Sequence, residues 1–130
     1  MIADTNILLR AVVRDDAKQA RIAETELAKA DRIVVPIATL CEFAWVLSSG
    51  YQRSKCDIAN AIRGLLASAK VVTNRPVAEA GLAMLDSDGD FADGAIAFDG
   101  IAMGGQTFVS FDKYAIKLLK SRGYAARVPE

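Results

Sequence analysis

The chain has 130 residues, of which 52% are hydrophobic and 25% charged, and 16 basic side chains balance 16 acidic ones. This composition excludes a disordered chain, and the neutral total gives no sign of a nucleic-acid or membrane partner, although a local patch is still compatible with it. We therefore expect one globular domain over residues 1–130. No stretch of about eighteen apolar residues could span a bilayer, and the start lacks the features of a signal peptide.

The chain contains no histidine and only two cysteines, Cys41 and Cys56. Without histidine, His-based catalytic triads and His-ligated metals are excluded, and acid–base chemistry must use carboxylates, lysines or water bound to a metal. The cysteines are too few and too far apart for a zinc site or a disulfide framework. We therefore expect a reduced, cytoplasmic protein.

Short apolar strands alternate with helices along the whole chain. The predicted strands are residues 1–3, 33–35, 71–73, 107–109 and 124–128, and the predicted helices include residues 17–29, 37–49 and 113–121. No hairpin turn joins the strands. The pattern therefore predicts a three-layer α/β/α domain, in which helices flank a central parallel sheet of four to five short strands.

Two of the predicted helices contain carboxylates in unusual settings. The helix over residues 37–49 is apolar almost all round, with Glu42 in its middle. An ionised carboxylate is costly to bury alone, so Glu42 either reaches solvent or an arginine, or binds a metal. The helix that opens at Phe91 is rich in small residues, which allows close backbone approach, and has Asp93 in its first turn.

Two further aspartates, Asp4 and Asp112, each follow a strand and precede a helix. Asp4 and Asp93 are either helix caps, the favoured role for Asp at these positions, or members of a functional site. The carboxyl ends of parallel strands share one edge of a sheet. We therefore expect all four acids to gather at that edge, namely Asp4, Glu42, Asp93 and Asp112.

Four carboxylates at one place repel one another, and a divalent cation relieves this repulsion. All-oxygen sites suit Mg²⁺ or Mn²⁺. Such an ion can activate water and stabilise charge on a phosphoryl oxygen, so the pattern permits metal-dependent hydrolysis of phosphodiesters.

Four segments of the chain, in order, resemble the motifs of PIN-domain ribonucleases, and they most resemble the VapC-like toxins of toxin–antitoxin systems. The segments are residues 4–10, 40–47, 90–93 and 110–113. The resemblance covers essentially the whole chain. It implies a metal-dependent endoribonuclease that uses Mg²⁺ or Mn²⁺, cuts RNA in single-stranded or loop regions, and is held inactive by a cognate antitoxin.

The resemblance also assigns residues. The family's acidic positions, implied to be catalytic and metal-binding, are matched by Asp4, Glu42, Asp93 and Asp112.

Other positions match less central parts of the pattern. Asn6 matches the residue that orients the first aspartate, Ser110 matches the usual Thr or Ser, and Asp90 matches an often acidic position near the site. Gly94 departs from the pattern, which generally has alanine there.

A basic cluster lies in and after the first helix, and it is either a solvated face or a phosphate-binding surface. Its candidates for contacts with the RNA backbone are Arg10, Arg14 and Lys18.

The resemblance further implies a homodimer, packed through helical faces and the third and fifth helices, and a groove for the antitoxin's apolar C-terminal segment. Trp45, Leu47 and Tyr51 either line this groove or belong to the core. The alternative to a nuclease is a non-catalytic PIN-like module, whose acids are helix caps and whose surface binds a protein partner.

Overall fold

A computed structural model describes all residues from 1 to 130 as seven helices and four two-residue strands. In chain order these are α1 (Thr5–Val13), α2 (Ala17–Lys29), β1 (Ile33–Val34), α3 (Ile37–Ser49), α4 (Lys55–Leu66), β2 (Val71–Val72), α5 (Arg75–Asp86), α6 (Phe91–Ala102), β3 (Phe108–Val109), α7 (Lys113–Ser121) and β4 (Ala126–Arg127). This alternation confirms the predicted α/β class. None of the seven helices combines the length and the apolar character that a membrane span requires.

The chain forms two compact units, Met1–Asn74 and Arg75–Glu130. In the first unit β1 pairs with β2, and in the second β3 pairs with β4. Both pairs are parallel, as predicted, but they form two two-stranded sheets where the sequence predicted one sheet of four to five strands. The organisation of residues 1–130 as one domain stays a prediction.

The predicted first strand is wrong in extent. Only Ile2 forms a strand-like bridge, parallel to Val34, supported by a hydrogen bond of 2.9 Å from Ala3 N–H to the Val34 carbonyl. Ala3 is buried, but the Ile2 side chain is 77% exposed. Residues 1–3 are therefore a short extended segment before α1, in which only the side chain of Ala3 is buried.

Large apolar side chains from α1, α3 and α4 form the core of the first unit. The most deeply buried are Leu8, Leu40, Phe43, Leu47 and Ile62. Burial of one such side chain contributes about 1.5–3 kcal/mol relative to leaving it exposed. Helix α1 begins directly after Asp4, and α3 contains Glu42. Because α1 packs against α3 as well as α2, this core fixes the two helices that position these acids.

The core of the second unit joins all three of its helices to its sheet. It is built from Met84, Ala97, Ile116, Leu119 and Ala126, which come from α5, α6, α7 and β4. This shared core fixes α6, which contains Asp93, and α7, which begins directly after Asp112.

Helices α5 and α6 approach each other too closely for a side chain at two positions. A Cβ at Gly94 would lie 2.4 Å from the Ala80 carbonyl oxygen, and one at Gly81 would lie 2.4 Å from the ring of Phe91. This confirms the expectation that small residues in this region allow close backbone approach.

Local signals set most helix boundaries. The predicted bounds of α2, α3 and α7 agree with the structure. Ser54 caps α4 by accepting a hydrogen bond of 3.1 Å from Asp57 N–H. Helix α5 begins at Arg75, with Pro76 in its first turn, where proline is tolerated.

Candidate active site

Asp4 occupies the N-cap position of α1, but its side chain makes no capping hydrogen bond. Asp16, at the same position of α2, does accept one, from Gln19 N–H at 3.0 Å. The Asp4 side chain is exposed to solvent. Its carboxylate therefore lies by the positive end of the α1 dipole without being used as a helix cap.

Asn6 lies on the exposed side of α1, two residues after Asp4. Its role in orienting the Asp4 carboxylate stays a prediction.

Glu42 lies in the second turn of α3 and is exposed. It forms no ion pair with an arginine, so the side chain reaches solvent. Because α3 packs against α1 within the first unit, Asp4 and Glu42 belong to neighbouring helices.

Of the two alternatives for Trp45, Leu47 and Tyr51, burial in the core holds for only one residue, and the groove stays a prediction. Leu47 belongs to the core, but Trp45 is 68% exposed, three residues after Glu42. Tyr51 is half-buried and its hydroxyl donates to Asp15 Oδ2 at 3.2 Å. A helix that is apolar almost all round thus presents an indole and a carboxylate to solvent.

Asp93 lies in the first turn of α6 and is half-buried. Asp90 is the exposed N-cap residue of the same helix, and its side chain makes no capping hydrogen bond. Two carboxylates therefore lie at the N-terminal end of α6, where the helix dipole favours negative charge.

Asp112 is the N-cap of α7, and unlike Asp4 it does cap its helix. Its Oδ1 accepts a hydrogen bond of 3.0 Å from Ala115 N–H, while Asp112 N–H donates to Ser110 Oγ at 3.0 Å. Ser110 thus stabilises the turn that positions Asp112. A carboxylate accepts several hydrogen bonds or metal contacts, so capping by Oδ1 leaves Oδ2 available to a ligand.

A hydrogen bond that the sequence did not predict ties α7 to the loop before α6. The Tyr114 hydroxyl lies 3.2 Å from both the carbonyl oxygen and Oδ2 of Asp88, a residue with a left-handed backbone (φ 68°). Desolvation and the Asp88 carboxylate raise the pKa of Tyr114. Tyr114 thus connects the first turn of α7, which follows Asp112, to the segment that leads to α6.

The two arginines predicted to contact RNA form ion pairs within the first unit. Arg10 Nη1 lies 2.9 Å from Asp15 Oδ1, and Arg14 pairs with Glu24. Exposed pairs of this kind contribute about 0–1 kcal/mol, so a phosphate can displace them at small cost. Their role in RNA binding stays a prediction.

No group of three or more His, Cys, Asp or Glu side chains is placed to hold a metal ion. The first unit contains Asp4 and Glu42, and the second contains Asp93 and Asp112. The chemistry of this donor set fits a hard cation, since carboxylate oxygens are the ligands of Mg²⁺ and Mn²⁺. The convergence of the four acids on one ion stays a prediction.

Comparison with known proteins gives one family. The model of the PIN domain matches residues 1–119, which include all four acids and parts of both units. The PIN domain is a three-layer α/β/α fold, so the predicted fold class is confirmed. PIN domains are generally nucleases, and they typically use divalent metal ions. Among curated proteins, none matches the chain.

Proposed function

Because the chain belongs to the PIN-domain family, whose members are generally nucleases, we propose that it is a metal-dependent endoribonuclease that hydrolyses RNA phosphodiester bonds. The observation that carries this proposal is the state of Asp4. The family motif puts an acid there, and the structure leaves its carboxylate exposed and without the capping bond that the alternative role requires.

The proposed ligands of Mg²⁺ or Mn²⁺ are Asp4, Glu42 and Asp93, with Asp112 completing the site directly or through water. When bound, such an ion lowers the pKa of water and stabilises charge on a phosphoryl oxygen. The chain's own contribution is to position the donors. Ser110 and the α7 backbone fix the Asp112 carboxylate, and the Gly94 contact with Ala80 fixes the turn of α6 that contains Asp93.

The proposal includes the role of toxin in a cytoplasmic toxin–antitoxin pair, with the protein as a homodimer. In support, Trp45 exposes a large apolar ring next to Glu42 on α3. An antitoxin whose apolar segment covers this indole would also cover the adjacent carboxylate. Inhibition would then follow from occlusion of Glu42.

The second candidate function is a non-catalytic PIN-like module that binds a protein partner. The same exposure of Trp45 favours it, since tryptophan is enriched among the residues that anchor protein interfaces. Under this alternative the acids have no role in chemistry, and Asp112 acts only as the cap of α7.

Cleavage of labelled RNA by the purified full-length chain in Mn²⁺ tests the proposal. Asp4→Asn and Asp93→Asn should each lower the rate on the order of 10²-fold or more, because each removes one charged donor from the reacting centre. Asp99→Asn is the matched control, since Asp99 is an exposed acid of the same helix as Asp93. A doubly substituted Asp4→Asn, Asp93→Asn protein that is folded and as active as the wild type would refute the proposal.

A further inference from the structure

Three lysines form a stripe along one side of α7. Lys113, Lys117 and Lys120 follow one another at spacings of four and three residues, and all three are exposed. Residues at these spacings share one helix face. At a rise of about 1.5 Å per residue the stripe extends roughly 10 Å along the axis. The opposite face of the helix is buried in the core through Ala115, Ile116 and Leu119.

The stripe has no anionic partner in the protein. None of these lysines forms an ion pair, and no residue within α7 is acidic. Like charges four residues apart destabilise a helix, and Lys113 adds a cation to the first position of α7, where the helix dipole repels it. Only Lys120, in the last turn, is favoured by the helix dipole, so Lys113 and Lys117 are electrostatically unfavourable within the helix, whereas a bound polyanion would neutralise them.

An exposed aromatic ring lies just before the stripe. Phe111 is 81% exposed and occupies the turn between β3 and α7, immediately before Asp112. Proteins that bind single-stranded nucleic acids combine cationic grooves for the phosphates with aromatic rings on which unpaired bases stack. Phe111 and the three lysines supply both groups within one short segment.

We propose that Phe111, Lys113, Lys117 and Lys120 form the surface that binds single-stranded RNA, with a base stacked on Phe111 and phosphates bound along the lysine stripe. This inference rests on the proposed function and specifies which surface takes the substrate. The stripe starts beside Asp112, so a strand bound along it passes that carboxylate. An anionic membrane is a poorer occupant, because the apolar face of α7 is packed in the core and cannot insert into lipid.

RNA binding by the full-length chain carrying Asp93→Asn, which prevents cleavage, tests the inference. Affinity for a fluorescent single-stranded RNA is measured between about 50 and 200 mM salt. The variant Lys113→Gln, Lys117→Gln, Lys120→Gln should bind on the order of tenfold more weakly, and its plot of log affinity against log salt should lose about 2 units of slope, because each phosphate contact in a single strand contributes about 0.7.

Phe111→Ala should weaken binding about fivefold or more with an unchanged salt slope, because it removes stacking and no charge. Two controls match these changes. Lys29→Gln, Arg32→Gln, Arg53→Gln removes three exposed cations from the first unit, and Met103→Ala removes a side chain that is 80% exposed. Both controls should bind RNA like the parent protein.

Equal loss of affinity in the lysine variant and its cationic control would overturn the inference, since bulk charge would then explain binding. Parent-like affinity in the lysine and Phe111 variants would also overturn it, as would binding to phosphatidylglycerol vesicles without binding to RNA. The proposed function fails separately, if the wild-type chain does not cleave RNA in Mn²⁺. Loss of binding confined to the stripe and Phe111 supports the inference in either case.

Discussion

Replacement of Gly94 by alanine tests the close packing that positions Asp93. The new Cβ would lie 2.4 Å from the Ala80 carbonyl oxygen and 2.6 Å from Met84 Cγ. Ordinary contacts begin near 3.4 Å, so α5 and α6 must separate by about 1 Å, and a backbone carbonyl cannot move without its helix. Overpacking costs about 1–3 kcal/mol. The better helix propensity of alanine offsets about 1 kcal/mol of this.

The expected net result for Gly94→Ala is a loss of about 0–2 kcal/mol in the free energy of unfolding. Gly100→Ala is the matched control, because it is the same substitution in the same helix with no atom within 4 Å of the new Cβ. It should raise the free energy of unfolding by up to about 1 kcal/mol. Urea denaturation of both variants measures the difference. Equal stability of the two would refute the packing argument.

Three further predictions concern metal binding, the exposure of Trp45 and the order in which the two cysteines react. Millimolar Mn²⁺ should raise the melting temperature, and at a hundredfold excess over Kd this rise corresponds to about 2.7 kcal/mol of stabilisation. Asp93→Asn should abolish the rise. An unchanged melting temperature in the wild type would favour a role of the acids as helix caps over a role as metal ligands. Acrylamide should quench the fluorescence of Trp45, the single tryptophan, nearly as well as that of free tryptophan, whereas protection of the indole would contradict its exposure. Burial raises the pKa of the Cys41 thiol, which lowers its thiolate fraction at pH 8, so a thiol reagent should modify exposed Cys56 first; a Cys56→Ser variant with an undiminished fast phase would contradict this order.

Helix boundaries could be predicted from the sequence because their signals are local. Ser54 caps α4, and Gly123 follows α7 with a left-handed backbone (φ 91°), as the residue types indicate. The extent of the first strand could not be predicted, because the exposure of Ile2 depends on what packs over it. The exposure of Trp45 has the same origin, since a helix that is apolar almost all round does not indicate which side faces the core.

The contacts made by the residues of the candidate site could not be predicted from the sequence either. Asp4 and Asp112 share one local pattern, yet only Asp112 caps its helix, so the roles of the two carboxylates depend on turn geometry and not on residue type. The Tyr114–Asp88 hydrogen bond joins residues 26 positions apart, and the Tyr51–Asp15 bond joins residues 36 apart. Periodicity and motif spacing contain no signal for such pairs. The four acids were predicted from a collinear motif, which does not depend on those contacts, and their shared site stays a prediction.

A crystal structure of the full-length chain grown with Mn²⁺, with the ion located by its anomalous scattering, would show whether the four acids share one metal ion. We expect an anomalous peak bound by carboxylate oxygens of Asp4, Glu42 and Asp93, with Asp112 in contact directly or through water. An occupied Mn²⁺ site that involves none of these acids, or Glu42 and Asp93 each lying away from any ion bound to Asp4, would contradict it.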